Sequence, residues 1–382
     1  MKLMKIGLNG QKLLIDSPAG PEKYTYNLFQ ALAKIDKENK YIIYLDKKPG
    51  KEWFKNLTCN NPNCSYVVIP NTLFWTQINL AAELLNNPPD VFFTAIHTIP
   101  MVRSSKTKFV TMIHGLEYKY TAGYDNPIYR FKIDRPVKYT AQHSDKIIVP
   151  SQATKSALLK QTWGIDREKI EIIYEGVNTN FKKKTVKDVN LIRERYEIGQ
   201  SSYLLFVSTI QPRKNIPNTV AAFSKLIKEN TKFKNTKLLL AGKFGWDFNE
   251  SLDSPKKYGV EKNVLFLGRV LDEDLLSLFS GAKGYINMSL EEGFGLPLLE
   301  AMSCETPCLV SDIPAFDEIG SGFPVFADPN DIENIKEGMI TILSGKVSDE
   351  HRKESRKYAQ SFTWENTAKR TLAVLENLVK NA

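Results

Sequence analysis

One segment holds the densest chemistry of the chain: Glu291-Glu292-Gly293-Phe294-Gly295-Leu296-Pro297-Leu298-Leu299-Glu300. It follows the apolar run Gly284-Tyr285-Ile286-Asn287-Met288, so a buried strand is expected to enter a glycine-hinged turn and then a helix opened by Pro297. Proline suits a first helical turn, where its missing N–H has no partner to lose. The two glycines allow close backbone approach. The first amides of the helix point outward at the positive end of its dipole, an arrangement that favours an anion. Glu292 and Glu300 flank this phosphate-binding backbone without lying on it. Ionised carboxylates accept hydrogen bonds from hydroxyls and repel phosphate, so the pair reads as grips on the sugar parts of a sugar nucleotide. A second segment, Phe206-Val207-Ser208-Thr209-Ile210-Gln211-Pro212-Arg213-Lys214-Asn215, begins as a buried strand and ends in two adjacent cations. A cation about 4 Å from a phosphate charge contributes about 4 kcal/mol at an effective dielectric of about 20, enough to assist a leaving diphosphate.

Embedded as Glu-Gly-Phe-Gly-Leu-Pro-Leu-Leu-Glu-Ala-Met, the first segment resembles the Glu-x7-Glu signature of the family 4 retaining glycosyltransferases, which have the GT-B fold. The resemblance covers essentially the whole chain and is densest from Tyr203 to Val310. It implies transfer of a sugar from a nucleotide-diphosphate donor with retention of anomeric configuration. Arg213 and Lys214 look like the pair that meets the donor diphosphate, although Ser208-Thr209 stands where many members carry Gly-Arg. Gly293, Phe294, Gly295 and Leu296 would lie on the phosphates, Glu292 on the sugar and Glu300 on the ribose. In the first half, Ala19-Gly20 before a helix resembles the loop that closes on the donor phosphates, with Gly20 as its one glycine. His114 resembles the histidine that faces the transferred sugar, with Gly115 where an acid is usual. Lys243 is similar to a residue at the nucleotide end, Arg269 and Val270 to the segment beside the base, and Asn178 to a turn at the hinge.

Within the family, Pro212-Arg213-Lys214-Asn215 and Gly293-Phe294-Gly295-Leu296-Pro297 are most like mannosyltransferase-like members, which makes GDP-mannose the first choice of donor. UDP-glucose, UDP-galactose and dTDP-rhamnose users share these motifs. The favoured acceptor is a glycan carried on a lipid diphosphate, as in surface-polysaccharide assembly. The same fold also serves sugar-nucleotide epimerases, and a non-catalytic subunit that binds nucleotide or glycan would carry much of the same pattern. No Gly-x-Gly-x-x-Gly follows the first strand, no Gly-x-x-x-x-Gly-Lys-Ser/Thr occurs, and no Asp-x-Asp ends a strand. The expectation is therefore no redox cofactor, no ATP loop and no metal, with cations and helix amides acting on the diphosphate.

The elements that must position these residues alternate short apolar runs with helical patterns, the signature of parallel sheets covered by helices. Strands are expected at 3–9, 41–45, 66–69, 91–94, 109–114, 146–149 and 171–174, then at 203–208, 237–241, 264–267, 284–288, 307–310 and 324–326. The fold class is α/β, and the resemblance implies GT-B, two Rossmann-like domains with parallel sheets facing across a cleft. The polar stretch 178–185 places a boundary near Lys182, giving an acceptor-side domain over 1–182 and a nucleotide-sugar domain over 183–363. The last helix, 364–382, packs back on the first domain if the resemblance holds.

The chain of 382 residues is 42% hydrophobic and 25% charged, the balance of a soluble globular protein. No apolar run approaches the roughly 20 residues that span a bilayer, and no signal-peptide pattern opens it, so a cytoplasmic location is expected. Cys59, Cys64, Cys304 and Cys308 lack zinc-type spacing and read as free thiols. The net charge of +9 lies wholly in residues 1–182, with 25 Lys/Arg against 16 Asp/Glu, while the remainder balances at 27 each. That surplus suits an anionic membrane surface or a diphosphate-bearing substrate; it is too scattered, and too free of recognised motifs, for nucleic acid.

Overall fold

The computed structural model describes residues 3–380 apart from 17, 19, 71, 72 and 121–123. Ala19 and the side chains of Glu117 and Tyr120 therefore lie outside the described residues. The chain forms two compact units: Met1–Leu116, Asp125–Gly176 and Thr363–Ala382 make the first, and Glu117–Tyr124 with Val177–Phe362 make the second.

In the first unit, strands β1 (Lys5–Asn9), β2 (Lys40–Leu45), β3 (Cys64–Val68), β4 (Val91–Thr94), β5 (Lys108–Met112), β6 (Lys146–Val149) and β7 (Ile170–Ile172) pair in the order β3-β2-β1-β4-β5-β6-β7. Every pairing is parallel. Central strands such as β4, Val-Phe-Phe-Thr, are buried throughout because helices cover both faces of the sheet. On one face Ile6, Leu8 and Phe93 meet Tyr24, Leu28 and Leu375; on the other Tyr44, Phe92 and Phe109 meet Trp75 and Leu80. The last helix, Trp364–Lys380, packs against helix Gly20–Ile35.

The second unit repeats the plan. Strands β8 (Tyr203–Val207), β9 (Lys237–Ala241), β10 (Val264–Gly268), β11 (Gly284–Asn287), β12 (Cys308–Ser311) and β13 (Val325–Ala327) are all parallel, in the order β10-β9-β8-β11-β12-β13. The order reverses between β8 and β11, as it does between β1 and β4 in the first unit. In open parallel sheets, ligands bind beyond the carboxyl ends of the strands at such a reversal. The two units thus have the α/β architecture of the GT-B fold.

The chain changes units at Gly176, ahead of the polar stretch expected to hold the boundary. The reason is packing: Val177 and Phe181 already sit in the second unit's core. Val177 N–H donates to Phe362 O at 2.8 Å, so the outgoing and returning strands are paired just inside the second unit. On the first unit's side, a Cβ on Gly176 would collide with the backbone of Thr363 and Trp364. Gly176→Ala is expected to cost about 1–3 kcal/mol of stability, the usual range for overpacking, seen as a lowered Tm. An unchanged Tm would show that the crossing is looser than this packing implies.

Candidate active site

Arg213 and Lys214 lie on a short 3-10 turn, Pro212–Lys214, just after β8. Gln211 enters the turn in extended geometry, and Asn215 leaves it with φ of 52°, held there by its side-chain donation to Pro329 O at 2.6 Å. Glu292 follows β11, the strand paired with β8. The reversal in strand order therefore brings together groups almost eighty residues apart. Leu290 N–H donates to Arg213 O at 2.8 Å, and Arg213 Nη1 donates to Glu291 O at 2.7 Å, which stitches the two loops together.

Both cations turn their charge onto Glu292. Arg213 Nη1 lies 2.9 Å from Oε2 and Lys214 Nζ lies 2.5 Å from Oε1. The Lys214 and Glu292 side chains are only 4% and 8% exposed, so water screens this cluster little. Ser289 Oγ stands 2.8 Å from Glu292 Oε1 and 2.5 Å from Asn287 Oδ1, and its single proton serves one of them at a time. Asn287 Nδ2 in turn donates to Tyr285 OH at 3.0 Å. Two cations thus converge on the one carboxylate of Glu292 in a buried cluster of side chains. A charge in that setting attracts an anion far more strongly than it would in water.

Burial alone would raise the pKa of Glu292; the charges of Lys214 and Arg213, with their hydrogen bonds, more than reverse this and hold it well below the usual carboxylate range. Since the folded value is depressed, the stabilisation is complete above the unfolded value of about 4.3 and is lost as pH falls from there toward the folded value. The stability difference between wild type and Glu292→Gln is therefore expected to shrink between about pH 5 and about pH 3 in urea unfolding. A difference that stays constant over that range would contradict the ion pairing.

The glycine turn forms as expected, though for a more local reason. Gly295 caps helix Leu296–Ser303 with φ of 97°, and a Cβ there would stand 2.7 Å from Phe316. Backbone conformation and the ring beneath both demand glycine. Gly293 and Phe294 are buried, and Phe294 packs edge-on against Phe362 at 6.2 Å. Glu300 lies within the helix, near Cys304, whose thiol burial and the Glu300 charge push up to about 12.

The other expected donor residues are placed as follows. The loops after β8, β9 and β10 are joined by backbone bonds from Ile210 N–H to Lys243 O, 2.9 Å, and from Gly242 N–H to Gly268 O, 2.7 Å. Lys243 and Arg269 are exposed on these loops. Val270 is buried in the core with Leu275 and Leu298, so only its backbone is available to a ligand. Gly20 opens helix Gly20–Ile35, and a Cβ at that position would meet nothing within 4 Å, so no crowding there requires glycine.

His114 belongs to the first unit. Strand β5 ends at Met112, two residues short of the expected end, because His114 N–H donates to His97 Nε2 at 3.1 Å. Its ring sits edge-on to Tyr24 at 4.8 Å between centroids, with Nδ1 3.4 Å from Glu175 Oε1. Sequence reasoning missed Glu175, and it missed Asn287 and Ser289 as supports of Glu292. Polar residues at the end of a buried strand and just beyond it were a signal for the last two. Nothing local pointed to Glu175.

Two Rossmann-like units, one with a buried cation pair at its strand-order reversal, define a protein of the GT-B class. Residues 18–181 match the family model Glycosyltransferase Family 4, and residues 188–362 match Glycosyl transferases group 1. O-antigen chain mannosyltransferase B of Escherichia coli is 33% identical over 185 residues, 47% of each chain. O-antigen chain mannosyltransferase RfbU of Salmonella typhimurium is 29% identical over 262 residues, 68% of this chain and 65% of that one. The chain thus spans about half to two thirds of the length of these relatives. Sucrose-phosphate synthase from Thermosynechococcus elongatus has the same fold, with a TM-score of 0.78 at 18% identity over 99% of this chain and 100% of that one. The chain belongs to the family 4 glycosyltransferases.

Proposed function

We propose that the protein is a retaining, metal-independent hexosyltransferase, with GDP-mannose as first choice of donor and a lipid-diphosphate-linked glycan as acceptor in surface-polysaccharide or glycolipid synthesis. The observation that carries this reading is the buried Arg213–Lys214–Glu292 cluster at the strand-order reversal of the second unit. In the proposed reaction the bond between the anomeric carbon and the diphosphate oxygen breaks, and the electron pair leaves with the nucleoside diphosphate. Arg213, Lys214 and the amides at the start of helix Leu296–Ser303 take up the departing charge. The acceptor hydroxyl attacks from the same face and passes its proton to the departing phosphate oxygen. Glu292 holds hydroxyls of the sugar and Glu300 the ribose diol. Similarity to O-antigen mannosyltransferases supports the choice of mannose and of a polysaccharide acceptor.

Peripheral contact with the inner face of a membrane is part of the same reading. No helix among the described residues is long and apolar enough to cross a membrane. Helix Pro127–His143 instead exposes Ile128 (70%) and Phe131 (64%) beside Arg130, Lys132 and Arg135. Apolar side chains among cations suit an anionic lipid surface.

The test is incubation with a panel of sugar nucleotides, read by mass spectrometry, with lipid-linked acceptor in neutral or anionic vesicles and without it. The expected result is sugar transfer that requires acceptor, is greatest with GDP-mannose and is faster on anionic vesicles. Conversion of a UDP-sugar without acceptor would make the protein an epimerase, and binding without turnover would make it a non-catalytic subunit.

A further inference from the structure

We infer that Glu175 is a positioning residue for His114: its carboxylate keeps the proton on Nδ1, so that Nε2 faces a ligand hydroxyl as a hydrogen-bond acceptor. This rests on the sugar-transfer reading for the identity of the hydroxyl, and on the geometry of the first unit for everything else. His114 leaves β5 and Glu175 follows β7, two strands along the sheet. Both residues are 8% exposed. The His114 backbone is fixed on two sides, by donation to His97 Nε2 at 3.1 Å and by acceptance from Thr154 Oγ1 at 3.4 Å. The ring is fixed by the edge of Tyr24 and by Glu175.

An ionised carboxylate can only accept, so the Nδ1 that faces Glu175 must carry hydrogen. In the neutral ring Nε2 then bears the lone pair. That atom is buried and has no hydrogen-bond partner among the described residues. Buried polar atoms are ordinarily satisfied, and one left over on a clamped ring points to a partner that arrives with the substrate. Tyr24 does not compete as an acid: burial, then the charge of Glu175, raise its pKa well above the usual phenol range, so it stays neutral. A buried hydrogen bond that only joined two loops would need no open ring nitrogen. Gly115, directly after the histidine, carries no side chain that could orient the ring, and Glu175 brings an acid from 61 residues away.

The experiment combines tautomer and turnover. With 15N-labelled histidine, the chain has four histidines to resolve. Wild type is expected to show His114 with Nδ1–H and bare Nε2. Glu175→Ala should shift it toward the Nε2–H form that predominates in water, with the fold intact by circular dichroism. Turnover should fall about 10- to 100-fold, the size seen when the partner that orients a metal-bound histidine is lost, mainly in kcat. Adding Glu175→Ala to His114→Ala should then cost nothing further. An unchanged tautomer, or losses that multiply in the double variant, would overturn the inference. If no sugar nucleotide is turned over, the transfer reading fails, while the tautomer measurement still decides the role of Glu175.

Discussion

Glu292→Gln is expected to lower turnover by about 10²- to 10³-fold while nucleoside diphosphate binds as tightly as before or more tightly. The opposite directions follow from the geometry. In the native cluster one carboxylate is shared by Arg213 Nη1 and Lys214 Nζ. Neutralising it removes the negative charge that competes with a diphosphate for these two cations, which favours the nucleotide. It also removes the acceptor that would hold the transferred sugar and align its anomeric carbon, so the chemical step suffers. Gln retains the shape and one acceptor oxygen, and for that reason it is a better probe than Ala. Removing the side chain would leave two buried cations without their partner, at a cost of about 3–5 kcal/mol in stability. Steady-state kinetics together with calorimetry of the free nucleotide checks this pair of effects. Parallel losses of turnover and nucleotide affinity would instead place Glu292 on the nucleotide.

Lys214→Met is expected to produce the largest loss, about 10³-fold in kcat, with nucleoside diphosphate affinity down at least about tenfold. Lys214 is the more buried of the two cations, and its charge acts through little water. Methionine keeps most of the length and apolar volume, and Arg213 still balances Glu292, so the fold should survive. Lys214→Arg should recover only part of the rate, because a planar guanidinium cannot reproduce a point charge at the same atom. A Lys214→Met variant with near-native kcat would move the leaving-group role elsewhere.

The elements that carry these residues were partly legible in the amino-acid sequence. Each of the strands expected from short apolar runs is present, because parallel strands buried on both faces must be continuously apolar, as in Tyr203–Val207. The turn at Gly295 was legible because glycine and proline restrict backbone geometry locally. The pairing of Arg213 and Lys214 with Glu292 was not, since nothing in either segment names the other. Only the strand order β9-β8-β11 makes them neighbours. The same holds for His114 and Glu175, and for Val270, whose side chain lies in the core and leaves its backbone to meet a ligand. Local constraints write themselves into sequence; long-range electrostatic pairing is set by topology.

In the proposed reaction, side-chain cations and helix amides, with no metal ion, withdraw the nucleoside diphosphate from the sugar. The most direct measurement is the rate of sugar transfer from the preferred donor in excess EDTA. The wild-type rate should equal that of the untreated protein, and the Lys214→Met deficit should be the same with and without EDTA. A wild-type rate that collapses in EDTA and returns on adding a divalent cation would give the leaving-group role to a metal ion instead.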